Sequence, residues 1–128
     1  MKRFLTVIAA TVMLAAPVSA GGVLTLNIGA KNAHDAQAIR TGLVMFQVFN
    51  DIHSNGHISQ KGIGNIASLA QGGGGNIGII HQDGHGHDAS LTQVGGNNSC
   101  GVFQFGNGAS SHVHQSGGEA CIVLQAGF

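Results

Sequence analysis

Proline, charged residues and large aromatics are scarce in this chain of 128 residues. The single proline is Pro17, tryptophan and tyrosine are absent, and charged residues make up 8% of the chain. The sequence has no basic patch, so it lacks the electrostatic footprint of a nucleic-acid-binding protein. After position 17 no residue blocks backbone pairing in a strand. A weakly charged, proline-free segment of this kind favours stacked β-sheet.

Residues 1–20 have the features of a secretory signal peptide. Lys2 and Arg3 form a positive start, residues 4–16 are apolar, and residues 18–20 form a small-residue cleavage site before Gly21. The apolar stretch is too short to span a membrane, and nothing later approaches the required length. We therefore expect a secreted mature chain, residues 21–128, without a membrane span.

Glutamine recurs with a nearly fixed period through the second half of the chain. The series is Gln60, Gln71, Gln82, Gln93, Gln104, Gln115 and Gln125. The step from one member to the next is constant, except that the last step is one position shorter. Such a period indicates one small structural unit stacked on copies of itself, and not a globular core around an active site.

A glycine follows two positions after each of these glutamines. The seven are Gly62, Gly73, Gly84, Gly95, Gly106, Gly117 and Gly127. Since glycine supplies the positive φ angles of tight turns, we expect each glutamine to end a strand and each glycine to open a turn. Two such units make one circuit of about 22 residues, within the range of solenoid repeats. Residues one circuit apart then lie on neighbouring rungs, about 4.7 to 4.8 Å apart, where amide side chains bond to each other up the stack.

The alternation of side chains along a strand predicts which residues face inward. Counting back by twos from Gln71 places Leu69, Ala67 and Asn65 on the inner side. The same rule predicts a thin apolar seam between two amide ladders, formed by Leu69, Leu91 and Val113 against Ile58, Ile80, Val102 and Val123. The sequence therefore predicts an all-β fold, a β-solenoid with two parallel sheets in cross-β arrangement.

The repeat resembles that of the curlins, the subunits of curli fibres. Their pattern is Ser-x5-Gln-x-Gly-x2-Asn-x-Ala-x3-Gln-x4-Asn, and residues 54–76 match every fixed position. The matching residues are Ser54, Gln60, Gly62, Asn65, Ala67, Gln71 and Asn76. The first circuit is 54–75, and the later ones, 76–97, 98–118 and a partial 119–128, match less well. Asn98 continues the expected asparagine ladder of Asn65 and Asn76, whereas His87 replaces asparagine.

The resemblance implies a structural role without catalysis or cofactor. A curlin-like chain would be a secreted amyloid subunit that polymerises with itself and other curlin subunits, as major subunit or nucleator. The resulting cell-surface fibres would serve adhesion, aggregation and biofilm formation. It would also use an outer-membrane export pore and accessory chaperones. Independently, uncapped sheet edges at both ends of the stack would template the next chain. The alternative is a soluble monomeric solenoid that binds metal or surface glycans through its outer faces.

The two cysteines occupy equivalent places in the repeat. Cys100 and Cys121 each lie four positions before a glutamine of the series, so both fall in the same inward column on adjacent rungs. Rung spacing falls within the Cα separation that disulfides need. We predict a Cys100–Cys121 disulfide in the exported chain, with two buried free thiols as the alternative.

Histidine is frequent enough to raise a metal hypothesis. His81, His85 and His87 cluster around one turn, and His112 and His114 point to one outward face. No histidine ladder runs along the stack, because Ser90 and Thr92 hold the equivalent positions one circuit before that pair. We interpret the histidines as solvated outward or turn residues, and predict no metal site.

Residues 21–53 fall outside the regular repeat. Residues 23–28 alternate like a strand, while residues 36–49 fit either a helix or two degenerate repeat strands. We favour irregular strands that extend or cap the stack, with a role as an export segment as the other interpretation.

Overall fold

The computed structural model describes residues 12–14, 22–52 and 54–128. Apart from residues 12–14, the predicted signal peptide lies outside the described residues. The described elements are β1 (Val12–Leu14), β2 (Val23–Gly29), helix α1 (Ala33–Phe49), β3 (Gly56–Lys61), β4 (Ile66–Gln71), β5 (Ile77–His85), β6 (Asp88–Val94), β7 (Ser99–Asn107), β8 (Ser110–Ser116) and β9 (Ala120–Gly127).

Strands β3 to β9 alternate between two parallel sheets. The first, sheet A, has the order β1-β2-β9-β7-β5-β3, and the second, sheet B, has the order β4-β6-β8. Within the solenoid each residue pairs with its equivalent one circuit later, as in Gln60 with Gln82. The β7–β9 pair advances by one position less, so that Gln104 meets Gln125. The predicted β-solenoid with parallel sheets is confirmed, and this shorter advance absorbs the one short interval in the glutamine series.

A thin apolar core lies between the two sheets. Its fully buried centre includes Ile80, Leu91 and Val102, with Leu69 and Val113 packed against it. These side chains alternate along their strands with outward residues, which gives the strict burial alternation of β6. Ile58 lies on the first rung and is 40% exposed, because no further rung covers it. The core therefore depends on stacking, and its first rung is only partly buried.

Glycine is required where the backbones of successive turns meet. Gly84 has φ 127°, and a Cβ there would lie 1.8 Å from the carbonyl oxygen of Gly106. The expectation that every such glycine opens a turn is too simple, because β5 and β7 remain paired through Gly84 and Gly106. Gly127 lies within β9 and is not among the glycines with positive φ. A Cβ on Gly127 would nevertheless lie 1.7 Å from the Asn107 carbonyl oxygen, so close backbone approach excludes a side chain there too.

The N-terminal segment forms one strand and one helix, so the preferred interpretation as irregular strands is wrong for residues 33–49. Helix α1 starts at the N-cap Asn32, whose side chain accepts the backbone N–H of Asp35 at 2.9 Å. Ile39 and Leu43 lie one turn apart and are buried.

The buried side of α1 packs on the outer face of sheet A. Its partners there include Ile77, Ile79 and Ala120, while Phe46 meets Phe103 edge-on with ring centroids 5.2 Å apart. Apolar outward residues on sheet A thus provide the surface that a helix can cover. Within the described part of the chain, no helix is long and apolar enough to cross a membrane.

Candidate functional site: the side-chain ladders and the ends of the solenoid

The glutamines of sheet A form a continuous ladder of amide hydrogen bonds. Gln60 Nε2 donates to Gln82 Oε1 at 2.8 Å, and Gln82 Nε2 donates to Gln104 Oε1 at 2.9 Å. Gln104 Nε2 then donates to Gln125 Oε1 at 2.7 Å. Every amide donates toward the C-terminal end of the stack. The ladder therefore has a direction.

The glutamines of sheet B form a second ladder with the same direction. Gln71 donates to Gln93 and Gln93 donates to Gln115, each at 2.9 Å. At the end of this ladder Gln115 Nε2 donates to the Ser99 carbonyl at 3.1 Å and lies 3.6 Å from Cys121 Sγ. Within the described residues, Gln115 is the last glutamine of the sheet B ladder.

Each buried glutamine amide also joins the two sheets. The second N–H of Gln82 donates to the Ile66 carbonyl at 2.8 Å, and that of Gln93 donates to the Ile77 carbonyl at 2.8 Å. Both glutamines have 0% exposure, so each needs a partner for every polar atom. Each ladder residue therefore bonds both to the next rung of its own sheet and to the preceding strand, which lies in the other sheet.

Asparagines form a third kind of ladder at the turns. The amide N–H of Asn65, Asn76 and Asn98 donates to the carbonyl four positions earlier, at 3.0, 3.1 and 2.9 Å. The Asn76 side-chain oxygen accepts the backbone N–H of Asn98 at 3.0 Å, one circuit later. Each asparagine thus closes its own turn and links it to the next rung.

His87 lies in the turn between β5 and β6, as expected, but it is buried and takes the place of an asparagine, so its interpretation as a solvated residue is wrong. It has 0% exposure. Its Nδ1 accepts the backbone N–H of Ala109 at 3.1 Å, and its Nε2 lies 3.1 Å from the Asp83 carbonyl. Because Nδ1 is an acceptor and the partner of Nε2 is a carbonyl, the ring is the neutral Nε2–H tautomer. The sequence signal was the position itself, on the asparagine column of the repeat.

His85 and His112 make separate local contacts. His85 Nδ1 lies 3.4 Å from the Ile63 backbone N–H, which donates to it. His112 lies 2.8 Å from Ser90 Oγ and 4.0 Å from the carboxylate of Asp88. His53 lies outside the described residues. In the ranges that the structure covers, no group of three or more histidine, cysteine, aspartate or glutamate side chains is placed to hold a metal ion.

The cysteines lie side by side on adjacent rungs. Cys100 and Cys121 are directly paired between β7 and β9, with Cα atoms 4.6 Å apart, and their sulfurs are bonded in a disulfide. Cys100 has 0% exposure. The bond joins the last solenoid strand of sheet A to the strand beside it.

The two ends of the solenoid differ. At the first rung, no strand in the described residues pairs with the outer edges of β3 and β4. At the last rung β2 runs antiparallel along the whole outer edge of β9. The Thr25 hydroxyl there accepts the Gln125 amide at 3.2 Å, where a further glutamine would continue the ladder. The outer edge of β8 carries no partner strand within the described ranges.

The direction of the ladders makes the two ends chemically complementary. The first rung presents the acceptor oxygens of Gln60 and Gln71, to which no described group donates. On the last rung the amide N–H groups of Gln115 and Gln125 have no glutamine acceptor and are directed instead at Cys121 Sγ and the Thr25 hydroxyl, partners that the acceptor oxygens of an added rung would replace. The first rung of one copy therefore offers amide acceptors, and the last rung of a second copy offers amide donors. The side chains of the two ends are complementary.

One protein family matches the region that carries these ladders. The model of the curlin associated repeat matches residues 62–95 and 88–117, which span the central rungs. Comparison with curated proteins gives no match, and comparison with solved structures gives none either.

Proposed function

Because this chain belongs to the curlin-repeat family, we propose that it is a structural subunit of curli-type amyloid fibres, to which further copies add at open sheet edges. The single observation that carries this proposal is the common direction of the two glutamine ladders. Acceptor amides at the first rung and donor amides at the last rung allow copies to stack head to tail in one continuous ladder.

The exposed edges of the first rung support such growth. β3 and β4 expose unpaired backbone groups, and Ile58 and Leu69 on the inner face of these strands have no rung above them. Natural proteins usually protect such edges with charge, proline or a covering element. A second solenoid would satisfy the backbone groups, extend both ladders and cover the apolar seam at the same time.

The proposal extends to where the fibre acts. By family, the chain would leave the cell through an outer-membrane pore, accompanied by accessory chaperones, after its signal peptide is removed. It would then build a cell-surface fibre, with itself or with other curlin subunits, for adhesion, cell aggregation and biofilm matrix. No catalysis and no cofactor belong to this role.

One observation favours the alternative, a soluble monomeric solenoid that binds a ligand on its outer faces. Strand β2 covers the outer edge of β9, as the capping elements of soluble solenoids do. The cap, however, covers one sheet at one end. The two functions therefore differ in a measurable property, since only the fibre subunit should assemble.

Fibre formation by the mature chain tests the proposal. Residues 21–128 would be diluted from denaturant while thioflavin fluorescence is followed, and any product would be examined by fibre diffraction. We expect reflections at about 4.7 Å and at about 10 Å, which are the strand and sheet spacings of a cross-β stack. A folded chain that stays monomeric at all concentrations would overturn the proposal and favour the ligand-binding solenoid.

The cellular part of the proposal needs its own experiment. A strain that lacks this chain would be compared with the parent for surface fibres and adhesion, and exported protein would be sequenced from its N-terminus. We expect fibres and adhesion to be lost, and the exported chain to begin at Gly21. Unchanged adhesion together with absent surface protein would contradict the proposed location.

A further inference from the structure

We propose that β2 is a displaceable cap, which occupies the edge of β9 to which the next copy of this chain adds. This inference rests on the proposed function, because it assumes that copies stack head to tail. It adds that assembly is controlled within each chain, by competition between its own N-terminal strand and a second copy for one sheet edge.

The cap covers the full length of the edge. Residues Val23–Gly29 pair antiparallel with residues 121–127, and Phe128 N–H donates to the Gly22 carbonyl at 2.8 Å beyond that pairing. The Thr25 hydroxyl accepts the last amide of the sheet A ladder. The strand therefore satisfies the backbone groups and the glutamine that an incoming rung would otherwise bind.

The order of the strands shows which part of a second copy fits here. Solenoid strands alternate between the sheets, so the position after β9 is on the outer edge of β8, and the one after that is on the outer edge of β9. An incoming copy that continues the winding places its β3 on β8 and its β4 on β9. Gln60 of that copy then faces Gln115, and Gln71 faces Gln125. The β8 position is open, whereas β2 occupies the β9 position.

Strand β2 is held less firmly than a solenoid strand. Asn27 and Gly29 are exposed, no residue of β2 is fully buried, and Ile28 is only partly buried against the cluster under α1. Its far edge pairs with β1, which lies within the predicted signal peptide and would be lost on its removal. A parallel solenoid strand would instead bury an apolar side chain and a ladder amide. The cap has the advantage of being part of the same chain, which raises its effective concentration at the edge.

The helix allows the cap to leave without the rest of the N-terminal segment. Ile39 and Leu43 anchor α1 on the outer face of sheet A, where the cluster includes residues of β7 and β9, and Ile28 and Ala30 at the end of β2 pack against the same cluster. Displacement of the cap must release the packing of Ile28 and the hydrogen bond from Ala30 N–H to the Ala120 carbonyl, and the short connection to α1 then provides the hinge. Displacement of β2 therefore opens the β9 edge while α1 stays docked on its sheet.

A proline placed in β2 tests the cap, because proline lacks a backbone N–H. It weakens the pairing only where the N–H that it removes points toward β9. Ala30 N–H donates to the Ala120 carbonyl at 3.1 Å, so even-numbered residues of β2 bond to β9 and odd-numbered residues point away. Leu26→Pro removes a bond to β9, whereas Asn27→Pro, the matched control, removes none. Both variants would be made in residues 21–128.

Seeded growth is the measurement, with fragments of parent fibre as seeds and single-fibre imaging of both ends. We expect Leu26→Pro to elongate about tenfold faster than the parent, equivalent to about 1.4 kcal/mol of cap stability. Asn27→Pro should elongate like the parent. Equal rates for all three chains, or loss of growth in Leu26→Pro alone, would overturn the cap while leaving the fibre proposal standing.

A covalent lock gives the opposite test. Leu26 and Leu124 are directly paired, so Leu26→Cys with Leu124→Cys places two thiols within disulfide range. We expect the oxidised variant, with Cys100–Cys121 verified by peptide mapping, to stop elongation at the C-terminal end. The matched Leu26→Ser with Leu124→Ser chain should still grow. Growth of the locked chain at the parent rate would overturn the cap, whereas absence of fibres from the parent itself would instead contradict the proposed function.

Discussion

Asn65 and His87 make the same pair of hydrogen bonds on successive rungs. Asn65 donates to the Lys61 carbonyl and accepts the His87 backbone N–H, at 3.0 Å each. His87 pairs with the Asp83 carbonyl and accepts the Ala109 backbone N–H, at 3.1 Å each. An imidazole in its neutral Nε2–H form thus replaces a carboxamide. In each residue one side-chain nitrogen donates to the carbonyl four positions earlier, and the other polar atom accepts a backbone N–H of the next rung.

This equivalence predicts that His87→Asn is tolerated and His87→Leu is not. Leucine fills the space but leaves the Asp83 carbonyl and the buried Ala109 N–H without partners, a loss of roughly 1–3 kcal/mol for each unsatisfied group. The measurement is the free energy of unfolding of the folded monomer in denaturant. His114→Leu, on the exposed outer face of β8, is the matched control and should change stability little. Equal losses in His87→Asn and His87→Leu would contradict the equivalence.

The tautomer itself can be observed. Nitrogen NMR of selectively labelled histidine should show His87 protonated at Nε2 and unprotonated at Nδ1. A proton on Nδ1 would face the Ala109 N–H, two donors in contact, and would rule out the geometry described here.

The interior of the amide ladder is the next target. Gln82→Leu removes a fully buried amide that accepts from Gln60 and donates to Gln104 and to the Ile66 carbonyl. We expect a loss of roughly 2–5 kcal/mol in stability, since several buried groups lose partners together. Fibre formation should slow in parallel, as followed by thioflavin fluorescence. The control is Gln37→Leu, an exposed glutamine of α1, and an equal effect there would mean that the ladder contributes nothing specific.

The sequence predicted the solenoid, the strand register and the inward columns, because all three follow from one period. The glutamine period determines which residues stack, and alternation along each strand determines which of them face inward. Helix α1 obeys neither rule. Its position depends on the outward face of sheet A, where Ile77 and Ile79 form an apolar surface, whereas sheet B carries Ser90 and Thr92 at its outward positions. That contrast is visible only once the register is known.

Two further features follow only in part from the sequence pattern. Grouping His87 with the other histidines by residue type predicts a solvated side chain, whereas its column position demands the bonding pattern of asparagine. The sequence predicts a strand over residues 23–28 and favours a capping role, but it does not identify the edge that is capped, because antiparallel pairing between distant parts of the chain, as in Thr25 with Gln125, has no local pattern. Without it, both ends of the stack would be open, whereas the β9 edge is covered.

The disulfide leads to a further prediction, about the last rung. Cys100 and Cys121 join β9 to β7 and close a loop of about 20 residues, which contributes about 3 kcal/mol in the chain-entropy model. Peptide mapping of exported protein without reduction should recover these two cysteines linked. Reduction should then raise hydrogen exchange in β9 far more than in β5. The Cys100→Ala with Cys121→Ala chain is the control, in which reductant should change nothing; two free thiols in exported protein would refute the bond.

The last prediction concerns the symmetry of fibres grown from residues 21–128, and it follows from the number of solenoid strands in each copy. Strands β3 to β9 number seven, four in sheet A and three in sheet B, so each copy ends half a circuit out of phase with its start. A copy that continues both sheets must therefore turn by about half a revolution and place its β3 on β8. Three and a half rungs of about 4.8 Å give a rise of about 17 Å per copy. Helical reconstruction from electron cryomicroscopy measures both quantities. Copies related by translation alone, with a rise of about four rungs, would leave a gap in sheet B and would show that β3 instead adds to β9.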